Sequence, residues 1–256
     1  MTAIVLAAGY ATRLYPLTRD TPKPLLDVAG RTILDRILEN VARIEGLDSV
    51  VVVSNARFYR QFRHWADGAD YGVPLTVLSD GSTDNGNRLG ALGDLHYAVR
   101  QITISDDALV VAGDNLFDFE LAEFAAYFRT VDGDCIAVGR IDDPTQLRRT
   151  GVVEFDADGR VVSFEEKPAR PKSSWGAPPL YIYRAATLRQ PLDDFLRSGF
   201  SADAPGAFIP WLIRRGTVYA YRFQGARYDI GTLESYRAVR KLFADRSQVT
   251  DRSQTR

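Results

Sequence analysis

Apolar and polar positions recur along this chain with two different periods, and their order predicts its architecture. Ala3 to Ala8 is an unbroken apolar run, of the length of a strand buried on both faces. Thr32 and Asp35 are spaced as a capping box, and Ile33, Leu34, Ile37, Leu38, Val41 and Ile44 then follow helical intervals until Gly46 ends the run. Ser49 to Ser54, with four consecutive valines, reads as a second buried strand, Arg57 to Ala66 as a short helix, and Leu75 to Leu78 as a third strand. Strand, helix, strand, helix, strand is the doubly wound α/β pattern, whose ligands bind beyond the carboxyl ends of the strands. Leu109 to Ala112 and Cys135 to Val138 continue the series of buried strands.

From Gly151 the period changes to two. Gly151 to Phe155, the turn Asp156 to Gly159, and Arg160 to Glu165 predict a hairpin, and Leu180 to Tyr183 a further strand. Residues 207–215 carry a helical run through Trp211 and Leu212, Val218 to Phe223 alternates again, and a last helix passes through Tyr236 and Leu242. The segment after Asp245 is polar, repeats Asp-Arg-Ser-Gln, and is expected to fray. No Pro-, Gly- or Ser-rich linker separates autonomous units. The expectation is one domain over 1–245, with parts of about 1–140 and 141–230 sharing a cleft, and a polar tail over 246–256.

Composition narrows the chemistry. The 256 residues are 45% hydrophobic and 25% charged, and 32 basic residues nearly balance 33 acidic ones. That balance argues against an extended nucleic-acid surface, and no apolar run approaches the ~18 residues of a membrane span. With a strand directly at the N-terminus, the expected location is the cytoplasm. Cys135 is the single cysteine, so an internal disulfide and a thiolate metal cluster are excluded; it reads as a core residue. His64 belongs to a helical pattern and His96 follows a loop, so a bound metal would rest on carboxylates, which suits Mg²⁺ or Mn²⁺.

Candidate chemistry begins where the first strand ends. Ala7, Ala8 and Gly9 leave the backbone almost bare, Thr12 and Arg13 follow, and Lys23 is stiffened between Pro22 and Pro24. Bare N–H groups and two cations suit a polyphosphate. Gly9 is the only glycine before Gly30, which excludes the dinucleotide fingerprint, and no Gly-Lys-Ser/Thr marks a P-loop. Asp80 to Gly93, with four glycines, reads as an irregular loop at a strand's carboxyl end. Asp114 in Gly113-Asp114-Asn115 sits at a strand tip, where an acid can reach a metal or simply close a turn. Glu166 and Lys167 read equally as a surface ion pair, and Asp229 as a helix cap. Asp132-Gly133-Asp134 has D-x-D spacing but precedes a strand, and reads as a turn.

The string from Leu6 to Leu26, LAAGYATRLYPLTRDTPKPLL, resembles the signature of the sugar-1-phosphate nucleotidylyltransferases over more than twenty positions. Those enzymes join a nucleoside triphosphate to a sugar phosphate and release pyrophosphate. The resemblance implies a Rossmann-like, doubly wound mixed sheet of the nucleotide-diphospho-sugar transferase type, with an inserted β-rich sugar-binding region. It places Leu6, Ala7, Ala8, Gly9 and Thr12 near the nucleotide and Arg13 and Lys23 on its phosphates. Ala11 stands where many members carry glycine, a change expected to cost little. Leu89-Gly90-Ala91-Leu92-Gly93 resembles the L-G-x-x-G loop of guanylyl- and uridylyltransferases, tilting the expectation toward GTP or UTP over dTTP. Gly90 would serve there as base platform, with Asp80 and Arg88 at the base edge. Glu166-Lys167-Pro168 matches the motif whose Glu binds sugar hydroxyls and whose Lys holds the sugar phosphate, and Gly151 a glycine that lets the sugar approach.

Asp114 and Asp229 match the carboxylates that hold Mg²⁺, and Arg13, Lys23 and Lys167 would be the catalytic cations. A sugar phosphate is already an oxyanion, so no general base is needed, and positioning and electrostatics dominate. One departure is Gly176-Ala177-Pro178-Pro179, where relatives often carry Thr-Gly; its two prolines remove two donors, so sugar identity does not carry over. The competing readings are a nucleotide-sugar-dependent glycosyltransferase and a non-catalytic nucleotide-sensing relative. Partners are then a nucleoside triphosphate and a sugar-1-phosphate, or a similar cyclic phosphate, without nucleic acid or membrane; self-association into a homo-oligomer stays open.

Overall fold

The computed structural model describes every residue except 103, 105, 255 and 256, with side chains placed through Arg246. Strand β1 (Thr2–Leu6) is apolar throughout because both of its faces are covered. Ala3 and Val5 join one core and Ile4 the opposite one, the alternation that a strand imposes. A two-residue ribbon, β2 (Asp27–Val28) and β3 (Arg31–Thr32), leads into helix α1 (Ile33–Val41). The expected capping box is present: Asp35 N donates to Thr32 Oγ1 at 3.0 Å and Thr32 N to Asp35 Oδ2 at 2.9 Å. The helix itself stops at Val41, earlier than the apolar spacing through Ile44 implies, and tight turns carry the chain to Gly46.

Strand β4 (Ser49–Ser54), helix α2 (Tyr59–Asp67) and strand β5 (Leu75–Ser79) complete the first winding. Helix α3 (Ala91–Ile102) follows, so the irregular loop ends at Gly90 and His96 is helical. Next come β6 (Ala108–Ala112), the short β7 (Asn115–Phe117), helix α4 (Leu121–Thr130) and β8 (Asp134–Arg140). The short helix α5 (Pro144–Leu147) precedes the hairpin β9 (Gly151–Phe155) and β10 (Val161–Glu166), then β11 (Trp175–Ala177) and β12 (Leu180–Tyr183). Helices α6 (Ala185–Arg189), α7 (Pro191–Arg197) and α8 (Ile209–Leu212) lead to β13 (Val218–Arg222), β14 (Arg227–Asp229) and the last helix α9 (Leu233–Gln254). The backbone of α9 is thus helical into the segment whose polarity reads as a fraying tail.

One mixed sheet spans the molecule in the order β10-β9-β11-β8-β12-β6-β1-β4-β5, with β13 parallel to β8 on its free edge. The quartet β6-β1-β4-β5 is parallel, while β12 runs antiparallel between β6 and β8. Pro178 and Pro179 explain how the two regions join. Without N–H donors they interrupt what is otherwise one strand beside β8, so that β11 turns to β9 and β12 to β6. Helices α1, α2, α4 and α9 cover one face of the sheet and α3, α6, α7 and α8 the other. Among the described residues no helix is long and apolar enough to cross a membrane.

Candidate functional site

The parallel strands end level: Leu6 lies opposite Val53 and Ala112, and Ser54 opposite Ser79. Beyond that edge a cleft of about 1100 Å³ opens into a smaller recess of about 260 Å³, the two sharing Gly9, Arg13, Arg88 and Gly231. The loop after β1 forms the floor and is tied down at several points. Ala7 N donates to Val53 O at 2.8 Å, and the fully buried Asn55 donates through Nδ2 to Ala8 O at 2.9 Å. A Cβ on Gly9 would meet nothing within 4 Å, so the bare backbone faces open cleft. Ala11 has φ +46°, in the left-handed region, and its carbonyl accepts from the buried Thr18 Oγ1 at 2.8 Å. The alanine for glycine at this position therefore carries backbone strain, contrary to the expectation that it costs little. Arg13 is exposed at the seam of the two spaces, with no ion pair to a described residue.

Lys23 sits in a 3₁₀ turn beside Pro24, with a side chain only 6% exposed, and its Nζ donates to Asp114 Oδ2 at 2.9 Å. Burial pushes the Asp114 carboxyl up, but the Lys23 ammonium and its hydrogen bond, then Arg227 and the Asn115 amide, outweigh it and hold the group below the usual carboxylate range. Strand β14 pairs with β7 so that Asp229 lies opposite Asn115, next in chain to Asp114. Arg227 Nε donates to Asn115 Oδ1 at 2.8 Å, and its Nη2 is 3.7 Å from Asp229 Oδ2. Asp114, just before β7, and Asp229, at the end of β14, thus meet through the Asn115 pairing, each beside a cation, Asp114 on the smaller recess and Asp229 on the larger cleft. Among the described residues no third acid, His or Cys completes a protein metal cage around them.

Glu166 ends β10 and Lys167 follows with φ +48°, a strained left-handed backbone, and both line the cleft. Lys167 N donates to Thr150 O at 3.2 Å, and its Nζ is 3.7 Å from Glu166 Oε1. Gly151 lines the cleft, but a Cβ there would come 2.4 Å from Phe164 Cζ. Ring packing already requires glycine at this position, whatever approaches the backbone. Gly206 is required in the same way, by Glu166 Oε2 at 2.4 Å and Phe164 Cζ at 2.5 Å from its built Cβ. Arg148, Arg149, Tyr181 and Pro179 also line this part.

The loop after β5 departs from expectation. Gly90 lines the cleft with φ +80°, yet its missing side chain faces the carbonyl of Ala202 at 2.8 Å, so it is glycine for close packing of two backbones. Asp80 does not line the cleft. Its Oδ1 accepts from Ser82 N at 2.8 Å, and Ser82 Oγ lies 2.8 and 2.9 Å from its two oxygens. Arg88 lines both spaces and is paired to Asp203 at 2.8 Å. Asp94, in the first turn of α3, does line the cleft and is 7% exposed. Burial, then Asp80 beside it, raises its carboxyl to about 8 against the pull of Arg88.

The cleft and its recess together therefore take in Leu6, Ala7, Ala8, Gly9, Thr12, Arg13, Lys23, Gly90, Asp114, Gly151, Glu166, Lys167 and Asp229, while Asp80 lines neither. Sequence reasoning missed Asp94, Arg148, Arg149, Tyr181 and Arg227. Asp94 directly follows the Leu89–Gly93 string and Arg148 and Arg149 precede Gly151, but none of the five belongs to a motif, and only the fold brings them to the site. Asp134 of the D-x-D string is buried at the amino end of β8, accepting from Arg184 N at 2.8 Å and Thr187 Oγ1 at 2.9 Å, which makes it a structural cap.

A family model described as nucleotidyl transferase matches residues 2–246. Among solved structures, the chain resembles a putative glucose-1-phosphate thymidylyltransferase from Bacillus anthracis, crystallised in complex with a sucrose. The two superpose with a TM-score of 0.79 at 22% identity, over 96% of each chain. At that identity the likeness concerns the fold.

Proposed function

Since this chain belongs to the nucleotidyl transferase family, we propose that it couples a nucleoside triphosphate to a sugar-1-phosphate, or a similar cyclic phosphate, giving a nucleoside diphosphate sugar and pyrophosphate. The observation that carries this reading is a pair of joined spaces: Gly9 and Arg13 border both, Lys23 lines the smaller recess, and Glu166 and Lys167 line the larger cleft. An oxygen of the sugar phosphate attacks the α-phosphorus in line. The new P–O bond forms as the α–β bridging P–O bond breaks, and its electron pair leaves on pyrophosphate. Arg13 and Lys23 neutralise the triphosphate, Lys167 aligns the attacking phosphate, and Glu166 accepts hydrogen bonds from sugar hydroxyls.

Asp114 and Asp229 fit a hard divalent cation, Mg²⁺ or Mn²⁺. Two carboxylates brought together by the β7–β14 pairing, with no further acid, His or Cys grouped with them among the described residues, suit an ion that completes its shell with water and phosphate oxygens. When bound there, such an ion supplies charge neutralisation between the two phosphorylated reactants. The D-x-D string gives the glycosyltransferase alternative no support, since the Asp134 carboxylate accepts from Arg184 N and Thr187 Oγ1.

The test is a matrix of nucleoside triphosphates against sugar phosphates, read as pyrophosphate release with Mg²⁺ present. At least one pair should turn over on the scale of family enzymes. Absence of pyrophosphate release with every sugar or cyclitol phosphate, while a nucleotide sugar is hydrolysed or transferred, would overturn the proposal.

A further inference from the structure

We propose that Asp94 reads the nucleobase, accepting a hydrogen bond from an N–H group at the base edge while Asp80 anchors its carboxyl from behind. This rests on the reading above that the cleft takes a nucleoside triphosphate. Asp94 borders the cleft beside Leu6, Ala8, Gly9 and Gly90, the stretch on which a base would lie. It is fixed in place: its N–H donates to Gly90 O at 2.8 Å in the first turn of α3, between the fully buried Leu92 and the nearly buried Leu95. A residue with only a packing role there would be apolar, because burying a carboxyl costs free energy unless its oxygens find partners. Yet its Oδ1 is buried without a hydrogen-bond partner. Arg88 does not take it up, being held by Asp203 and Asn85.

What stands behind Asp94 also distinguishes it from a stray acid. Asp80 is clamped by Ser82, and Ser82 Oγ is 3.3 Å from the hydroxyl of Tyr10, which lines the smaller recess. Tyr10, Ser82 and Asp80 thus form a hydrogen-bonded chain that starts at the recess, and the charge of Asp80 bears on Asp94 at the cleft. With both oxygens of Asp80 engaged and Asp80 off the cleft wall, the base-edge role expected of Asp80 passes to its neighbour. A cleft that buries such a group discriminates strongly, since a base lacking the matching donor leaves the oxygen unpaired.

The experiment is calorimetric binding of the four ribonucleoside triphosphates, dTTP and inorganic tripolyphosphate to the wild type, Asp94→Asn, Asp94→Leu and Asp94→Glu. Asp94→Leu should weaken the preferred nucleotide about tenfold or more and flatten the ranking, while tripolyphosphate binding stays within about twofold. Asp94→Asn keeps a carbonyl acceptor and should preserve the ranking. Asp94→Glu pushes the carboxyl into the base space and should weaken every nucleotide, which keeps the test valid if the leucine variant does not fold. A wild type that binds no nucleotide better than tripolyphosphate would overturn the nucleotide reading itself. A discriminating wild type matched by Asp94→Leu or Asp94→Glu, or an asparagine variant as damaged as the leucine one, would overturn Asp94 alone.

Discussion

Lys23 Nζ lies 2.9 Å from Asp114 Oδ2, so the lysine expected on the triphosphate and the acid expected on the metal neutralise each other in the free protein. They come from segments 91 residues apart, and the lysine side chain is 6% exposed. Asp114→Asn should therefore do two things. It should abolish Mg²⁺-dependent turnover, and it should cost stability, because Lys23 keeps its charge without its partner. Solvent reaches nearly half of the Asp114 side chain, which holds the cost to about 1–3 kcal/mol, below that of a fully buried pair. Asp229→Asn, at a side chain 59% exposed and 3.7 Å from its cation, should lose turnover with stability unchanged within about 0.5 kcal/mol. Urea unfolding of both variants checks this; equal stability losses would refute the asymmetry.

Ala11 predicts a gain. Its φ of +46° costs an alanine roughly 1 kcal/mol that glycine does not feel, while glycine brings back part of that as unfolded-chain entropy. Ala11→Gly should leave stability level or raise it by up to about 1 kcal/mol. A fall in the urea midpoint would show that the loop, tied by Thr18, accommodates the alanine without strain.

Lys23 lines the smaller recess and Lys167 the larger cleft, and the two should separate kinetically. Lys23→Ala should chiefly damage use of the triphosphate and Lys167→Ala use of the sugar phosphate, each by about 1.5–3 kcal/mol in kcat/KM. If both variants raised only the triphosphate KM, Lys167 would not hold the acceptor.

What was legible in the sequence was whatever local residues decide. The valines of β4, the apolar β1 and the Thr32–Asp35 box are dictated by neighbours in the chain, and so is the string that carries Gly9, Arg13 and Lys23. Helix α3 hid because Gly90 and Gly93 flank and enter its first turn, which reads as loop. Helix α4 is missing from the sequence expectation although Leu121, Phe124, Ala125 and Phe128 carry its period. Arg227 reaches Asn115 only through a pairing that spans 112 residues, and the burial of Asp94 depends on packing between α3 and the loop that holds Ala202. Gly90 and Gly151 were found for one reason and are glycine for another, since a motif marks a position without saying which neighbour excludes a side chain.

Asp94 also makes a prediction about pH. Burial raises its folded-state pKa to about 8, with Asp80 adding to it, above the ordinary carboxyl value of 3.8. Such a group favours the folded state below its unfolded pKa, and that advantage is lost as pH rises toward 8, after which the loss is constant. Asp94→Asn removes the titration. Its stability relative to wild type should therefore climb between about pH 4 and 8, by as much as a few kcal/mol, and then level off. Unfolding free energies of both proteins at pH 5, 7 and 9 decide it. A pH-independent difference would mean that Asp94 is ionised in the folded protein.

Gly151 separates packing from ligand approach. A methyl group there would sit 2.4 Å from Phe164 Cζ, 3.0 Å from Cε2 and 3.3 Å from Cε1, and the same ring also lies against Gly206, which limits its room to retreat. Gly151→Ala should cost about 1–3 kcal/mol of stability as overpacking. Phe164→Leu shortens the obstacle, so the double variant Gly151→Ala/Phe164→Leu should recover a substantial part of that cost relative to Phe164→Leu alone. A double-mutant cycle by urea unfolding measures the coupling, which should favour the pair by about 1 kcal/mol or more. The sugar-phosphate KM of the double variant then reports on the backbone. If stability returns and KM returns with it, glycine at this position serves the Phe164 ring. If stability returns and KM stays high, the bare backbone also contacts the acceptor. Strictly additive stability effects would instead show that the Phe164 ring does not exclude a side chain at Gly151.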